Sequence, residues 1–93
     1  MGKYIVKIED VARNDFKKHF HSGDKRIIKK IETILFELSE HPYTGTGKPE
    51  LLKYDLEGFW SRRLNLKHRI IYKVDEEIVT VFVIKAMGHY SDK

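Results

Sequence analysis

At 93 residues the chain is shorter than most single domains, so one compact unit spanning residues 1–93 is the expectation and a second domain is not credible. A composition 41% hydrophobic and 34% charged is too apolar for a disordered chain and too polar for a membrane protein, and the longest apolar run is only Val81–Ile84. With no hydrophobic leader after Met1 and no cysteine, secretion, disulfides, thiol nucleophiles and thiolate metal sites are not expected, and a cytoplasmic domain without membrane contact is the expectation. The net charge of +4 is clustered: residues 17–30 carry six cations against Asp24, and residues 53–73 carry six against Asp55 and Glu57. Such clustering favours a polyanionic partner, nucleic acid or an acidic protein.

Along the chain, Tyr4, Val6 and Ile8 alternate with Ile5 and Lys7, which predicts a strand over 1–8. From Asp10 the period lengthens: Ala12, Phe16 and Phe20 recur every four residues as the apolar stripe of a helix that Ser22-Gly23 ends. Asp24 is a candidate N-cap for a longer helix whose apolar face is Ile27, Ile31, Ile34, Leu35 and Leu38, closed by Pro42. Residues 41–50 contain both prolines and two glycines and read as a loop with Glu50 at its end. Three β-rich stretches follow, 59–64, 68–74 and 78–86, as an antiparallel meander. The order β-α-α-β-β-β predicts an α+β fold with an antiparallel-rich sheet, both helices on one face and the other face left open for function.

Chemistry concentrates in the meander. If one hairpin pairs Arg63 with Arg69, their guanidiniums emerge side by side, an arrangement that makes sense where an anion such as phosphate bridges them. His19, His21 and His41 read as surface residues without a role, and His68 as a packing or turn residue on the opposite face from Arg69. His89, with Tyr90 beside it, is a titratable group placed after the last strand. Gly45-Thr46-Gly47-Lys48 lacks P-loop spacing and follows a helix rather than a strand, and Ser61 has no nucleophile-elbow context.

Read in order, Gly47-Lys48-Pro49-Glu50-x-Leu52-Lys53, Leu56-x-Gly58-Phe59-Trp60-Ser61-Arg62-Arg63, His68-Arg69-Ile70-Ile71-Tyr72 and His89-Tyr90 resemble the YoeB/Txe toxins of the RelE/ParE superfamily. The resemblance extends to Asp24-Lys25-Arg26-Ile27-x-Lys29-Lys30-Ile31 and so covers nearly the whole chain. It implies a microbial ribonuclease-like fold and a metal-independent, cofactor-free endoribonuclease that cuts mRNA in the A site of the 70S ribosome. An acidic antitoxin resembling YefM or Axe would restrain it, and the oligomeric state is left open, homodimer included. By the same resemblance Glu50 is the general base, Arg69 stabilises the phosphate, His89 is the general acid and Tyr90 the terminal aromatic. Lys53 and Arg63 are implied as supporting RNA-binding cations, Arg62 is expected beside them, and the basic cluster with Lys25, Lys29 and Lys30 is expected to dock on the ribosome by its charge. Gly88 in place of an aromatic, and Ser91-Asp92-Lys93 after Tyr90, depart from the family pattern at the edge of that site. The alternatives are a ParE-like gyrase poison of the same fold and a ribosome-binding module without catalysis.

Overall fold

The computed structural model describes residues 2–88, so His89 and Tyr90 lie outside the described residues. Strand β1 (Ile5–Ile8) leads into helices α1 (Asp10–Ser22) and α2 (Lys25–Glu40). A loop then reaches the two-residue strand β2 (Glu50–Leu51) and a 3-10 turn (Tyr54–Leu56), before β3 (Trp60–Arg63), β4 (Arg69–Asp75) and β5 (Thr80–Lys85). The sheet order is β1-β5-β4-β3-β2, with β2 to β5 antiparallel neighbours and β1 parallel to β5. The expected α+β layout is therefore present, with two additions. Glu50 stands on an edge strand rather than in a loop, and the first strand joins the last, Ile5 opposite Thr80 and Ile8 opposite Val83.

The helices form where sequence spacing expected them. The Asp24 carboxylate accepts from the backbone N–H groups of Arg26 (3.1 Å) and Ile27 (3.3 Å), supplying two of the donors a helix start leaves unmet. Helix α2 buries Ile27, Ile31, Ile34 and Leu38, and α1 buries Ala12 and Phe16, all against Ile70, Tyr72, Val81 and Val83 of the sheet. Each fully buried aliphatic side chain contributes about 1.5–3 kcal/mol, which is what a small domain without disulfides depends on. The α1 stripe departs from expectation at its end. Phe20 is 46% exposed, and His19 takes the buried position, its Nε2 donating to the Ala86 carbonyl at 2.7 Å. A histidine can take that place because its ring packs while its N–H finds a partner.

The far face of the sheet is only partly open. Ser61 and Ile71, opposite each other in β3 and β4, are buried there, as is Leu52, which follows β2.

Candidate active site

Strand β3 is where alternation sorts the basic residues. Successive side chains on a strand point to opposite faces, so Arg62 and Arg63 cannot share one. Arg62 turns towards the helices and is completely buried. Its guanidinium donates to Glu37 at 2.5 Å, to the carbonyls of His41 (3.0 Å), Thr44 (2.8 Å) and Thr46 (3.3 Å), and through Nε to the Tyr72 hydroxyl at 3.2 Å. Tyr72 in turn donates to the Pro42 carbonyl at 2.6 Å, and burial pushes its phenol up. Burial would also raise the Glu37 carboxyl, but the Thr46 N–H and hydroxyl and the Arg62 charge outweigh it and hold that group below the usual carboxylate range. The expectation that Arg62 is an RNA-binding cation is thereby corrected. Its donors are spent on the end of α2 and the following loop, which it fastens to the sheet.

Arg63 turns to the other face and pairs in register with Arg69 of β4, the arrangement that the hairpin reading required. The turn between them is held by Asn65, whose side-chain oxygen accepts from the N–H groups of Lys67 (2.8 Å) and His68 (2.6 Å). Glu50 reaches this pair from the edge strand, its Oε1 lying 3.6 Å from Arg69 Nη1. Glu50 is directly opposite Ser61, which is opposite Ile71, so a serine separates the acid from the β4 side of the site. A bulkier side chain there would block the reach across β3. The Ser61 hydroxyl is fully buried and has no hydrogen-bond partner among the described residues.

Two adjoining depressions continue from this pair. The smaller, about 150 Å³, is lined by Arg63, Asn65, Leu66 and Arg69. The larger, about 510 Å³, runs from Arg63, Asn65 and Leu66 to Gly47, Lys48 and Lys30. Lys30 therefore belongs to the cleft, whereas Lys25 and Lys29 are exposed on α2, and Lys53 is exposed just before the 3-10 turn. Lys48 and Leu66, the latter 93% exposed on the hairpin tip, carry no signal in the linear sequence that marks them as cleft residues. The catalytic roles expected of His89 and Tyr90 fall outside the described residues. What is assembled is an acid next to an arginine pair in a cationic groove, a geometry suited to gripping a phosphate beside a proton acceptor.

Comparison with known proteins supplies the family. The description "YoeB-like toxin of bacterial type II toxin-antitoxin system" matches residues 8–90. Toxin YoeB of Escherichia coli O6:H1 is 43% identical over 72 residues, covering 77% of this chain and 83% of that relative. The fold superposes on a YoeB/ParE toxin from Agrobacterium tumefaciens with a TM-score of 0.81 and 31% identity, over 92% of this chain and 99% of that one. In a heterotetrameric YoeB–YefM toxin-antitoxin complex from Staphylococcus aureus, the matching chain is 34% identical, with a TM-score of 0.75 over 94% of this chain and 98% of that one. From strand register to family profile, these observations agree: the chain belongs to the YoeB-like toxins of bacterial type II toxin-antitoxin systems.

Proposed function

We propose that this toxin is an endoribonuclease that cuts mRNA in the ribosomal A site, with Glu50, Arg69, His89 and Tyr90 as its working residues and Arg63 and Lys53 as supporting cations. The observation that carries the reading is the in-register Arg63–Arg69 pair with Glu50 3.6 Å from Arg69. Like charges directly opposite on a sheet are unfavourable, and a substrate phosphate between them turns that repulsion into binding. Glu50 takes the proton from the 2′-hydroxyl. The 2′-oxygen forms its bond to phosphorus as the bond to the 5′-oxygen breaks, and His89 returns a proton to the leaving 5′-oxygen. The arginines meet the charge that accumulates on the phosphorane oxygens, where a preorganised cation does most for rate. The products are a 2′,3′-cyclic phosphate and a 5′-hydroxyl, and DNA, lacking the 2′-hydroxyl, is bound but not cut.

The partners follow from the same charge. The 70S ribosome delivers the mRNA, and an acidic antitoxin of the YefM kind covers the cationic face, in keeping with the complex seen for the Staphylococcus aureus relative. The test is single-turnover cleavage of mRNA on saturated ribosomes, with end-group analysis. Arg69→Ala is expected to slow cleavage about 100- to 1000-fold, and Glu50→Gln about 100- to 10,000-fold. Near-normal rates in both variants would overturn the mechanism. Inhibition of gyrase without RNA cleavage would replace it with the ParE-like reading.

A further inference from the structure

Sheet pairing ends at Lys85, yet the backbone beyond it is still held, by side chains instead of a neighbouring strand. The Ala86 N–H donates to Asp15 Oδ2 at 2.9 Å, and the Ala86 carbonyl accepts from His19 Nε2 at 2.7 Å. Two residues later the Gly88 N–H donates to His68 Nδ1 at 2.8 Å. Asp15 and His19 are one turn apart on α1, and His68 comes from the β3–β4 hairpin, so two separate elements converge on one short segment. The two imidazoles touch edge to face, with centroids 4.9 Å apart and planes at 78°. His19 and Ala86 are buried, which shields their bond from competing water.

The partners fix the tautomers. A carbonyl can only accept, so His19 carries its proton on Nε2, and an N–H can only donate, so His68 presents an unprotonated Nδ1. Both rings are thereby committed to holding backbone, and nothing in the cleavage chemistry uses them. The next residue after Gly88 is His89.

We propose that Asp15, His19 and His68 form a clamp that positions the segment leading into His89, with His68 holding the Met87–Gly88 peptide. The clamp rests on the reading of His89 as the general acid. These are positioning residues, and none of them contacts RNA. A general acid must sit within hydrogen-bond reach of the leaving oxygen, and a misplacement of about 1 Å can cost about 100-fold in rate. Three bonds on residues 86–88 restrict the backbone that leads into it.

The experiment compares wild type with His68→Asn and His68→Leu. Asparagine keeps an acceptor at the position of Nδ1, and leucine removes it. Amide exchange at Gly88 is expected to speed up about fivefold or more in His68→Leu, the worth of one lost hydrogen bond, and to stay near wild type in His68→Asn. Single-turnover cleavage on saturated ribosomes is expected to fall about 10- to 100-fold in His68→Leu and to recover to within about threefold in His68→Asn, with half-saturation unchanged in both. Unaltered Gly88 exchange in His68→Leu, or equal cleavage rates in the two variants, would overturn the clamp. If His68→Leu does not fold, Asp15→Ala against Asp15→Asn asks the same question at the Ala86 N–H. A wild-type protein that cuts no RNA would sink the nuclease reading alone, and the exchange data would then decide the clamp.

Discussion

Arg62 is a basic residue whose donors all serve the fold. A fully buried guanidinium is tolerated here because a carboxylate, three carbonyls and a phenol surround it. Arg62→Ala removes the charge partner of Glu37 and takes one donor or more from each loop carbonyl it meets, a change expected to destabilise the fold by about 3–5 kcal/mol. Against a total of about 5–15 kcal/mol for a small domain, that is severe. Arg62→Lys should be milder but still destabilised, since a single ammonium cannot span acceptors from Glu37 to Thr44. The pH dependence follows from Glu37. Its carboxyl is held below the usual range in the folded protein, so its contribution is complete above the unfolded pKa of about 4.3 and is lost as pH falls through the folded value. Urea denaturation at a series of pH values should therefore show the gap between wild type and Arg62→Ala narrowing in acid. A constant gap would mean that the Glu37 charge contributes nothing to the network.

At the scale of elements, the loop from α2 to β2 decides where the acid stands. Arg62 fastens its first half, and the Gly47 carbonyl accepts from the Arg63 N–H at 2.7 Å, just before the chain enters β2 with Glu50. Gly47 has φ +86°, and a methyl group there would lie 2.8 Å from the Arg63 carbonyl oxygen and 3.0 Å from its nitrogen, both backbone atoms that cannot move aside. Gly58 shares the left-handed conformation, φ +92°, but has nothing within 4 Å. Gly58→Ala should therefore cost only the backbone penalty, about 1–2 kcal/mol, and Gly47→Ala distinctly more. Gly47→Ala should also slow cleavage while Gly58→Ala leaves it near normal, because only the former moves the strand carrying Glu50. Equal melting temperatures for the two variants would show that the loop yields without disturbing β3.

At the scale of the whole molecule, the basic residues divide into three groups that composition alone presents as one. Arg62 is structural, while Arg63, Arg69, Lys48 and Lys30 line the groove, and Lys25 and Lys29 are exposed on α2 outside it. Ribosome docking through Lys25 and Lys29 should weaken as salt rises, because each neutralised phosphate releases counterions. Replacing both with alanine should reduce the slope of log affinity against log salt by about 1.4 to 1.8 and leave the saturated cleavage rate unchanged. A slope equal to wild type would move the ribosome contact to another surface. Lys30→Ala is expected to act differently, slowing cleavage at saturation because its side chain lines the groove with Arg63.

Sequence by itself determined what depends on neighbours a few residues apart. The helical spacing of Ala12 and Phe16 in α1 and of Ile27, Ile31, Ile34 and Leu38 in α2, the Asp24 cap, the hairpin that sets Arg63 against Arg69, and the ordered motifs that mark the family were all legible along the chain. Strand alternation even contained the correction to Arg62, since two consecutive arginines cannot both face the site. Tertiary structure decided what depends on distant partners. Nothing local shows that residues 5–8 pair with 80–83, that Glu50 forms an edge strand against Ser61 of β3, or that His19 is buried in place of Phe20. The physical reason is the same in each case. Periodicity reports which side of an element is apolar, but the identity of what covers that side, and the hydrogen-bond partners it brings, come from segments up to 75 residues away.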